Sequence, residues 1–160
     1  MKRIKLTQGK YALINDEDYE YLNQWKWHTV KNKRTYYAHR HASIKNNKKP
    51  RLIKMHQEVA ERMGIKNPDH ADRDGLNNQR NNLREATRSQ QQANHSLQKN
   101  STSGYKGVYW CKNVKKWRAQ IVINERNIHL GLFTDIKDAA KVYNEAAIKY
   151  FGEFAVLNKV

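Results

Sequence analysis

The sequence has one cysteine and few acidic residues. Because Cys111 is the only cysteine among 160 residues, neither a disulfide framework nor a cysteine-rich zinc site is available. A chain without disulfides suits a reducing compartment. Fifteen Asp and Glu stand against 31 Lys and Arg, which leaves a formal charge of +16. A net charge of about 2 to 8 is sufficient to keep a small domain soluble. Because the charge of this chain is larger, we expect a polyanionic partner.

Long apolar runs are also absent. No uninterrupted apolar run exceeds four residues, as at 11–14, 108–111 and 154–157, whereas a membrane-spanning helix needs about 20. We therefore expect no transmembrane helix and no secretory leader after Met1. Hydrophobic residues make up 38% of the chain, which is enough for small cores but not for one large enzyme core. The length fits one domain or two small ones.

The positive charge is spread along the whole chain. Residues 1–100 contain 21 basic and 10 acidic side chains, and residues 101–160 contain 10 and 5. A basic tail on a neutral enzyme would concentrate the excess in one block. The even distribution favours nucleic acid as the partner, with an anionic membrane surface as the alternative.

The first half of the chain alternates short β patterns with helical ones. Aromatic and β-branched runs predict strands at 10–14, 25–30 and 35–40, and Asp16 begins a short helix that runs through Leu22. Residues 44–49 are predicted to form a polar loop. Apolar residues at helical spacing predict a second helix from Met55 to Met63, which Gly64 ends. Residues 1–54 therefore form a β-rich region.

The last third of the chain predicts a small sheet and a helix. Alternating segments at 105–110, 117–123 and 127–133 indicate a three-stranded antiparallel meander. On the third strand we expect Ile128, Leu130 and Leu132 to face the core. A helix capped by Thr134 or Asp135 follows and ends near Gly152. The polar stretch at 95–102 is the predicted linker that separates this domain, residues 103–160, from the rest.

Charge in this domain belongs to the predicted sheet. Residues 105–133 hold six basic side chains and one acidic, whereas the helix that follows is balanced. A basic ribbon of strands fits the major groove of DNA. The alternative is an ordinary solvent-facing surface.

The motifs of residues 103–158 resemble one known family. Ser103-Gly-Tyr-Lys-Gly-Val108, Lys116-Trp-Arg-Ala-Gln-Ile121 and Phe151-Gly-Glu-Phe-Ala155 closely resemble the Apetala-type (ethylene-response-factor-like) DNA-binding domain. In that family the open sheet face lies in the major groove. The resemblance implies DNA contacts by Lys106, Tyr109, Arg118, Gln120, Asn127 and His129. The plant members carry more arginine on this face, so their target sequence is not implied here.

The run from Asp69 to Arg84 carries the chemistry. It places a carboxylate beside a histidine, then an amide-rich loop, then arginine. Such a set can hold one hard divalent cation through oxygen ligands and supply a general base near neutral pH. The alternative is a loop in which Asp69 and His70 only cap and hydrogen-bond.

Residues 55–94 resemble the HNH nuclease motif, the ββα-metal fold of homing and phage nucleases. The matching pattern is Asp-His, an Asp-Gly-Leu loop, Asn-Asn, Asn-Leu-Arg and Ala-Thr-Arg-Ser-Gln. The resemblance implies that Asp69 binds the metal, that His70 is the general base and that Asn82 braces the loop and His70. The second metal ligand falls on Gln91, where the family usually has Asn or His. Asn94 and His95 are alternative ligands if the helix register shifts.

Arginines flank this motif. Arg80, Arg84 and Arg88 are candidates for phosphate contacts, with solvent exposure as the alternative. His56 matches a histidine often found upstream of the motif, and we assign it a structural role.

The sequence thus predicts an α+β protein. A β-rich region precedes an HNH ββα-metal module, and a small C-terminal three-stranded antiparallel sheet packs on one helix. The predicted activity is site-specific endonuclease cleavage of double-stranded DNA with one Mg²⁺ or Mn²⁺ ion. No membrane and no small-molecule substrate is expected, and the location is the cytoplasm of a bacterial or phage-infected cell. The alternatives are a catalytically inactive DNA-binding regulator, which Gln91 favours, and an RNA-binding protein.

Overall fold

The computed structural model describes residues 1–32, 35–42, 50–97 and 100–160. Contacts divide the chain into two compact units, residues 1–86 and 87–160. The predicted polar loop at 44–49 lies outside the described residues, as do two positions of the predicted linker at 95–102. No helix in the described part of the chain combines the length and apolar character needed to span a bilayer.

Over its described residues, unit 1 (residues 1–86) has three small antiparallel sheets, two α-helices and one 3-10 helix. The first sheet pairs β1 (Lys2–Lys5) with β2 (Tyr11–Ile14), and helix α1 (Asp16–Asn23) follows. The second is a meander of β3 (His28–Lys31), β4 (Tyr36–Ala42) and β5 (Arg51–Lys54), which leads directly into helix α2 (Met55–Arg62). The third pairs β6 (Pro68–His70) with β7 (Leu83–Glu85), and a short 3-10 helix (Arg80–Asn82) precedes β7.

One apolar core holds these elements together. It is formed by buried side chains from both ends of the unit: Ile4, Leu6, Ala12, Ile14, Leu22, Trp27, Ala38, Met55, Val59 and Leu83. The predicted face of α2 is confirmed, since Met55, Val59 and Ala60 are buried. Gly64 follows the helix with φ +72°, a left-handed conformation that suits glycine after a helix end.

The predicted strand at 25–30 begins later than expected. β3 starts at His28, because the two tryptophans before it pack rather than pair. The Trp27 indole donates a hydrogen bond to the Leu22 carbonyl at 2.8 Å and is buried. The Trp25 ring lies under the Arg40 guanidinium, 3.9 Å from its centroid. Aromatic packing replaces the strand ladder over these residues.

Unit 2, residues 87–160, has the predicted sheet and helix. Helix α3 (Arg88–Ala93) begins at a capping box formed by Thr87 and Gln90. Strands β8 (Val108–Cys111), β9 (Lys116–Ile123) and β10 (Arg126–Phe133) form the antiparallel meander. Helix α4 (Ile136–Phe151) is capped by the Asp135 side chain, and a 3-10 helix (Gly152–Phe154) follows it. The predicted α+β fold, with a three-stranded sheet packed on one helix, is confirmed.

Small residues let α4 approach the sheet closely. Ala139 and Ala140 pack on Val108 and Ala119, and all four are at most 1% exposed. Gly107 has φ +73°, and a Cβ at this position would lie 2.0 Å from the Tyr143 ring. A side chain at 107 is therefore incompatible with the observed position of Tyr143.

The expectation for Leu132 is wrong. A β-bulge between His129 and Gly131 shifts the register of β10, so that Leu132 pairs with Arg118 instead of continuing the core alternation. Leu132 is 39% exposed, whereas Leu130 and Phe133 pack against the core of unit 2. One extra residue in a strand turns every later side chain to the other face.

Candidate functional site

The β6–β7 hairpin presents the adjacent Asp69 and His70. Asp69 is opposite Arg84 and His70 is opposite Leu83 in the antiparallel register. His70 is 7% exposed, and the Asp69 side chain is 14% exposed. The two residues that the HNH resemblance singled out thus end one short strand, at the point where the loop over residues 71–79 begins.

The His70 ring donates a hydrogen bond to the Asn78 side chain. His70 Nε2 lies 3.2 Å from Asn78 Oδ1. The orientation of the Asn78 amide is fixed because its Nδ2 donates to the Leu76 carbonyl. A flipped amide would place two oxygens side by side, and neither could donate. With an acceptor beside Nε2, the neutral ring carries its proton on Nε2 and its lone pair on Nδ1. Asn78 therefore fixes the tautomer in which Nδ1 is the basic nitrogen.

Burial keeps the His70 ring neutral. Loss of solvation lowers the pKa of His70, whereas its hydrogen bond to Asn78 and the nearby carboxylates of Asp72, Asp69 and Asp74 act in the opposite direction. The net direction is downward. A histidine of this kind is unprotonated at neutral pH, which is the state required of a general base.

Asn82 braces the loop but not His70. Its side chain accepts from the Asp72 amide at 3.0 Å and donates to Asp72 Oδ1 at 2.9 Å and to the Asn77 carbonyl at 2.8 Å. This differs from the prediction that Asn82 holds His70, because the bond to the ring is made four residues earlier. The catalytic role of Asn82 remains a prediction. The sequence signal for Asn78 was the Asn-Asn pair of the motif.

Backbone bonds fix the same loop to β2. Leu13 N–H donates to the Leu76 carbonyl and Asn78 N–H donates to the Leu13 carbonyl, each at 2.8 Å. Asn78 is fully buried, so the group that orients His70 is anchored on the first sheet. A rigid support of this kind keeps a catalytic side chain in one geometry.

Asp69 faces Arg84 across the hairpin. Arg84 Nε and Nη2 lie 3.4 and 3.5 Å from Asp69 Oδ2, and both side chains are largely buried. Arg84 was predicted to contact phosphate. In the structure its guanidinium lies beside the predicted metal ligand, where it offsets the carboxylate charge.

Arg80 is committed to an ion pair within unit 1. Its Nε and Nη2 donate to the two carboxylate oxygens of Asp18 at 2.8 and 2.9 Å, and its Nη1 lies 3.1 Å from Glu17. Asp18 is fully buried and also accepts from Arg62 Nε at 2.9 Å. The predicted phosphate role of Arg80 does not agree with this geometry, because both edges of its guanidinium are bonded to carboxylates.

The carboxylate oxygens of Asp69 fit a hard divalent cation that takes few of its ligands from the protein. No group of three or more His, Cys, Asp or Glu side chains able to hold a metal ion occurs among the described residues. Mg²⁺ commonly binds through one or two carboxylates, with water and substrate phosphate completing its octahedron. One largely buried carboxylate next to a neutral histidine matches that pattern, whereas a closed structural zinc site would require four ligands.

The remaining predicted ligands belong to unit 2. Gln91 lies in α3 and is half-buried, Asn94 is the buried C-cap of that helix, and His95 is exposed just beyond it. Arg88 is the exposed first residue of the same helix. Their metal-binding and phosphate roles remain predictions.

Two aromatic rings, of His56 and Tyr37, lie beside His70, and the sequence predicted neither contact. The His56 ring is 5.1 Å from the His70 ring, and the Tyr37 ring is 5.9 Å from it. Tyr37 also contacts His39 on the same strand. Burial lowers the pKa of His56 to about 3, with further contributions from His70 and Lys54. No local sequence signal joins these residues, because β4, α2 and β6 meet only in the fold.

In unit 2 the open face of the sheet collects most of the predicted DNA contacts. Direct cross-strand partners share a face of a sheet, and the register gives three rows on the face opposite α4: Tyr109, Arg118 and Leu132; Gln120 and His129; Val122 and Asn127. Tyr109, Arg118, Asn127 and His129 are exposed, and Gln120 is half-buried. The sheet therefore presents these five side chains together.

Lys106, which was also predicted to contact DNA, instead bonds backbone carbonyls within unit 2. Its Nζ donates to the Ala93 carbonyl and, at 2.8 Å, to the His95 carbonyl. Its backbone also bonds the Asn158 side chain. The ammonium group satisfies carbonyls at the C-terminal end of α3, where helix carbonyls lack partners. The predicted DNA contact of Lys106 does not agree with this engagement.

Part of the chain is similar to a known protein. No family model matches the chain. A protein of Acanthamoeba polyphaga mimivirus, named as an uncharacterized HNH endonuclease, is 36% identical to it over 92 residues. The aligned part is 58% of this chain and 46% of that relative, so the chain spans about half of the relative's length.

Proposed function

We propose that this chain is a metal-dependent, site-specific DNA endonuclease of the HNH type. Unit 1 would cut double-stranded DNA, and the sheet of unit 2 would select the site. The similarity to a protein named as an HNH endonuclease supports a nuclease. The net charge of +16 supports a nucleic acid as its substrate.

The hydrogen bond between His70 and Asn78 carries the proposal. A buried asparagine, anchored on β2, sets the tautomer of a buried histidine that directly follows a carboxylate. A loop that merely capped the hairpin would not need a neutral histidine of fixed tautomer beside Asp69. The pair of Asp69 and His70 therefore has the composition of a hydrolytic site.

The chemistry that follows is hydrolysis of a phosphodiester. His70 Nδ1 accepts a proton from water as the water oxygen forms a bond to phosphorus, in line with the bond to the 3′ oxygen. That P–O bond breaks, and the 3′ oxygen takes a proton from solvent. The products are a 5′ phosphate and a 3′ hydroxyl. Asn78 holds the ring throughout, since its Oδ1 accepts from Nε2 in the neutral and the protonated states of His70.

Asp69 would hold the divalent ion, Mg²⁺ or Mn²⁺. When bound, the ion would neutralise the scissile phosphate and stabilise the leaving oxygen. Arg84, beside Asp69, would limit the negative charge of the empty site. Gln91 as a second ligand is the prediction of the HNH resemblance.

The sheet of unit 2 would read the DNA as an Apetala-type domain does. Its open face combines a guanidinium, an amide and an imidazole at Arg118, Gln120 and His129. Arginine pairs with guanine and glutamine with adenine in the major groove, so such a face can distinguish base pairs. Tyr109 and Asn127 complete it.

The second candidate function is a DNA-binding regulator without activity. Gln91 favours this candidate, because it stands where the HNH motif usually has Asn or His and is one methylene longer than Asn.

Plasmid cleavage distinguishes the two candidates. Supercoiled DNA is incubated with the full chain and Mg²⁺, Mn²⁺ or EDTA, beside Asp69→Asn at equal DNA occupancy. The nuclease proposal expects nicked or linear product with metal, and loss of that product in EDTA and in the variant. DNA binding without cleavage under every metal condition would favour the regulator.

A further inference from the structure

A cavity lies beside the His70 ring cluster in unit 1. Its volume is about 270 Å³, and it is lined by Val30, Lys31, Asn32, Tyr37, His39, Lys54 and His56. These residues come from β3, the segment after it, β4, β5 and the start of α2. His56 joins the cavity to the catalytic residue, because its ring lies 5.1 Å from the His70 ring. The reaction proposed above gives the cavity no role.

Two histidines of its wall have unsatisfied nitrogen atoms. His39 and His56 are 7% and 8% exposed. Within the described residues no hydrogen-bond partner reaches His39 Nε2 or His56 Nδ1. Buried polar groups are nearly always hydrogen-bonded, so two buried nitrogens without a partner, in two residues that line one cavity, indicate a missing partner. Either nitrogen can carry the proton of a neutral imidazole, so both can donate to an oxygen.

The positive charge of the residues that line the cavity favours an anion as the bound group. Lys31 and Lys54 are its only charged lining residues among those described, and no carboxylate lines it. Glu58 is close in sequence, but its Oε1 pairs with Arg40 Nη2 at 2.7 Å. A cation would meet two ammonium groups here without a counter-charge. A tetrahedral oxyanion, in contrast, would meet ammonium groups and imidazole N–H donors.

We infer that this cavity is a phosphate subsite, in which His39, His56 and Lys54 bind a backbone phosphate of the DNA strand next to the one that is cut. This assignment rests on the proposed nuclease function for the identity of the ligand. Because the His56 ring lines the cavity and lies 5.1 Å from the His70 ring, a phosphate held there would position the strand beside His70 without entering the reaction. His39, His56 and Lys54 are then positioning residues.

Phosphate binding can be measured without any cleavage. The full chain, labelled with ¹⁵N in its histidines, is titrated in EDTA with inorganic phosphate, with a dinucleoside monophosphate and with chloride at matched ionic strength. Both phosphate probes should produce saturable shifts of the His39 and His56 ring signals. No saturable shift, or equal shifts with chloride, would overturn the inference and leave a solvent-filled cavity.

Variants link the cavity to DNA. Lys54→Gln should weaken binding of the dinucleotide and of a duplex in EDTA by about tenfold, the effect expected for loss of one charge-assisted contact. Lys66→Gln is the matched control, since Lys66 is an exposed lysine of the same unit and does not line the cavity. Phosphate binding with unchanged duplex affinity in Lys54→Gln would refute the DNA backbone as the ligand. If the plasmid assay shows no cleavage, the proposed function fails while these binding results still stand.

Discussion

Removal of the Asp18 carboxylate tests how the β6–β7 hairpin, which carries Asp69 and His70, is supported. Asp18 is fully buried and bonds two arginines, Arg80 through both carboxylate oxygens and Arg62 through one. Arg80 also begins the 3-10 helix before β7, and its backbone N–H donates to Asn15 at 2.8 Å. Asp18→Asn keeps the side-chain size but removes the charge. The two arginines then lose their common partner.

The expected loss in the free energy of unfolding of unit 1 is about 3 kcal/mol. Breaking a buried ion pair costs about 3 to 5 kcal/mol. The lower end applies because the side chains of Arg80 and Arg62 are 27% and 37% exposed and can reach water. Glu17→Gln is the control, since Glu17 is 57% exposed and its contact with Arg80 should contribute less than about 1 kcal/mol.

The contribution of Asp18 should also depend on pH in a defined direction. The hydrogen bond from Arg80, followed by that from Arg62, lowers the pKa of Asp18 below its ordinary value of 3.8. A lowered pKa in the folded state stabilises the fold fully above pH 3.8, and this stabilisation is lost as the pH falls through the folded pKa. The stability difference between the wild type and Asp18→Asn should therefore shrink only below pH 3.8.

Urea unfolding followed through histidine ring signals measures each unit separately. His56 reports unit 1 and His129 reports unit 2. In Asp18→Asn, the account requires the His56 signal to report unfolding at a lower urea concentration than in the wild type. The urea midpoint of the His129 signal should be unchanged. Equal stability of the two proteins, or a stability difference that stays constant well below pH 3.8, would refute the reasoning. It would also reopen a phosphate role for Arg80.

Three further predictions concern the site and unit 2. Asn78→Ala removes the acceptor of His70 Nε2 and should slow cleavage about a hundredfold while duplex affinity in EDTA is retained; an unchanged rate would show that the tautomer is set elsewhere. Gly107→Ala places a Cβ against the Tyr143 ring and should destabilise unit 2 by about 2 kcal/mol. The urea midpoint of the His129 signal should fall, whereas the midpoint of the His56 signal should not change. Arg118→Ala should weaken duplex binding about tenfold, the effect expected for loss of one base contact, whereas Lys106→Ala should not, because its ammonium already donates to carbonyls of unit 2; equal affinities of the two variants would argue against the open sheet face.

The main elements of unit 2 could be predicted from local patterns. Alternation predicted the three strands, although the first begins at Val108 instead of residue 105, and a cap at Thr134 or Asp135 predicted the start of α4. The bulge at His129–Gly131 escaped prediction because it depends on the pairing of β10 with β9, not on the order of residues in β10. A single glycine in a strand leaves several registers open.

The chemistry of unit 1 could be predicted only in part. The adjacency of Asp69 and His70 is a local pattern, so the motif identified both. Asn82 was predicted to brace the loop and His70; it bonds the loop, whereas Asn78 bonds the ring. Four asparagines lie between 77 and 82, and only the path of the loop decides which one reaches the ring. The ion pair between Asp18 and Arg80 joins residues that are far apart in the chain, and no local sequence pattern in either segment predicts it.

The most direct test of the central claim is the rate of metal-dependent DNA cleavage by His70→Ala. The rate is measured in single turnover with Mg²⁺ at saturating protein, beside the wild type and His41→Ala, whose histidine is exposed on β4 and outside the ring cluster at His70. The account predicts a loss of at least about a hundredfold for His70→Ala, with DNA occupancy retained and His41→Ala unaffected. Cleavage by His70→Ala at the wild-type rate would contradict the assignment of His70 as the general base.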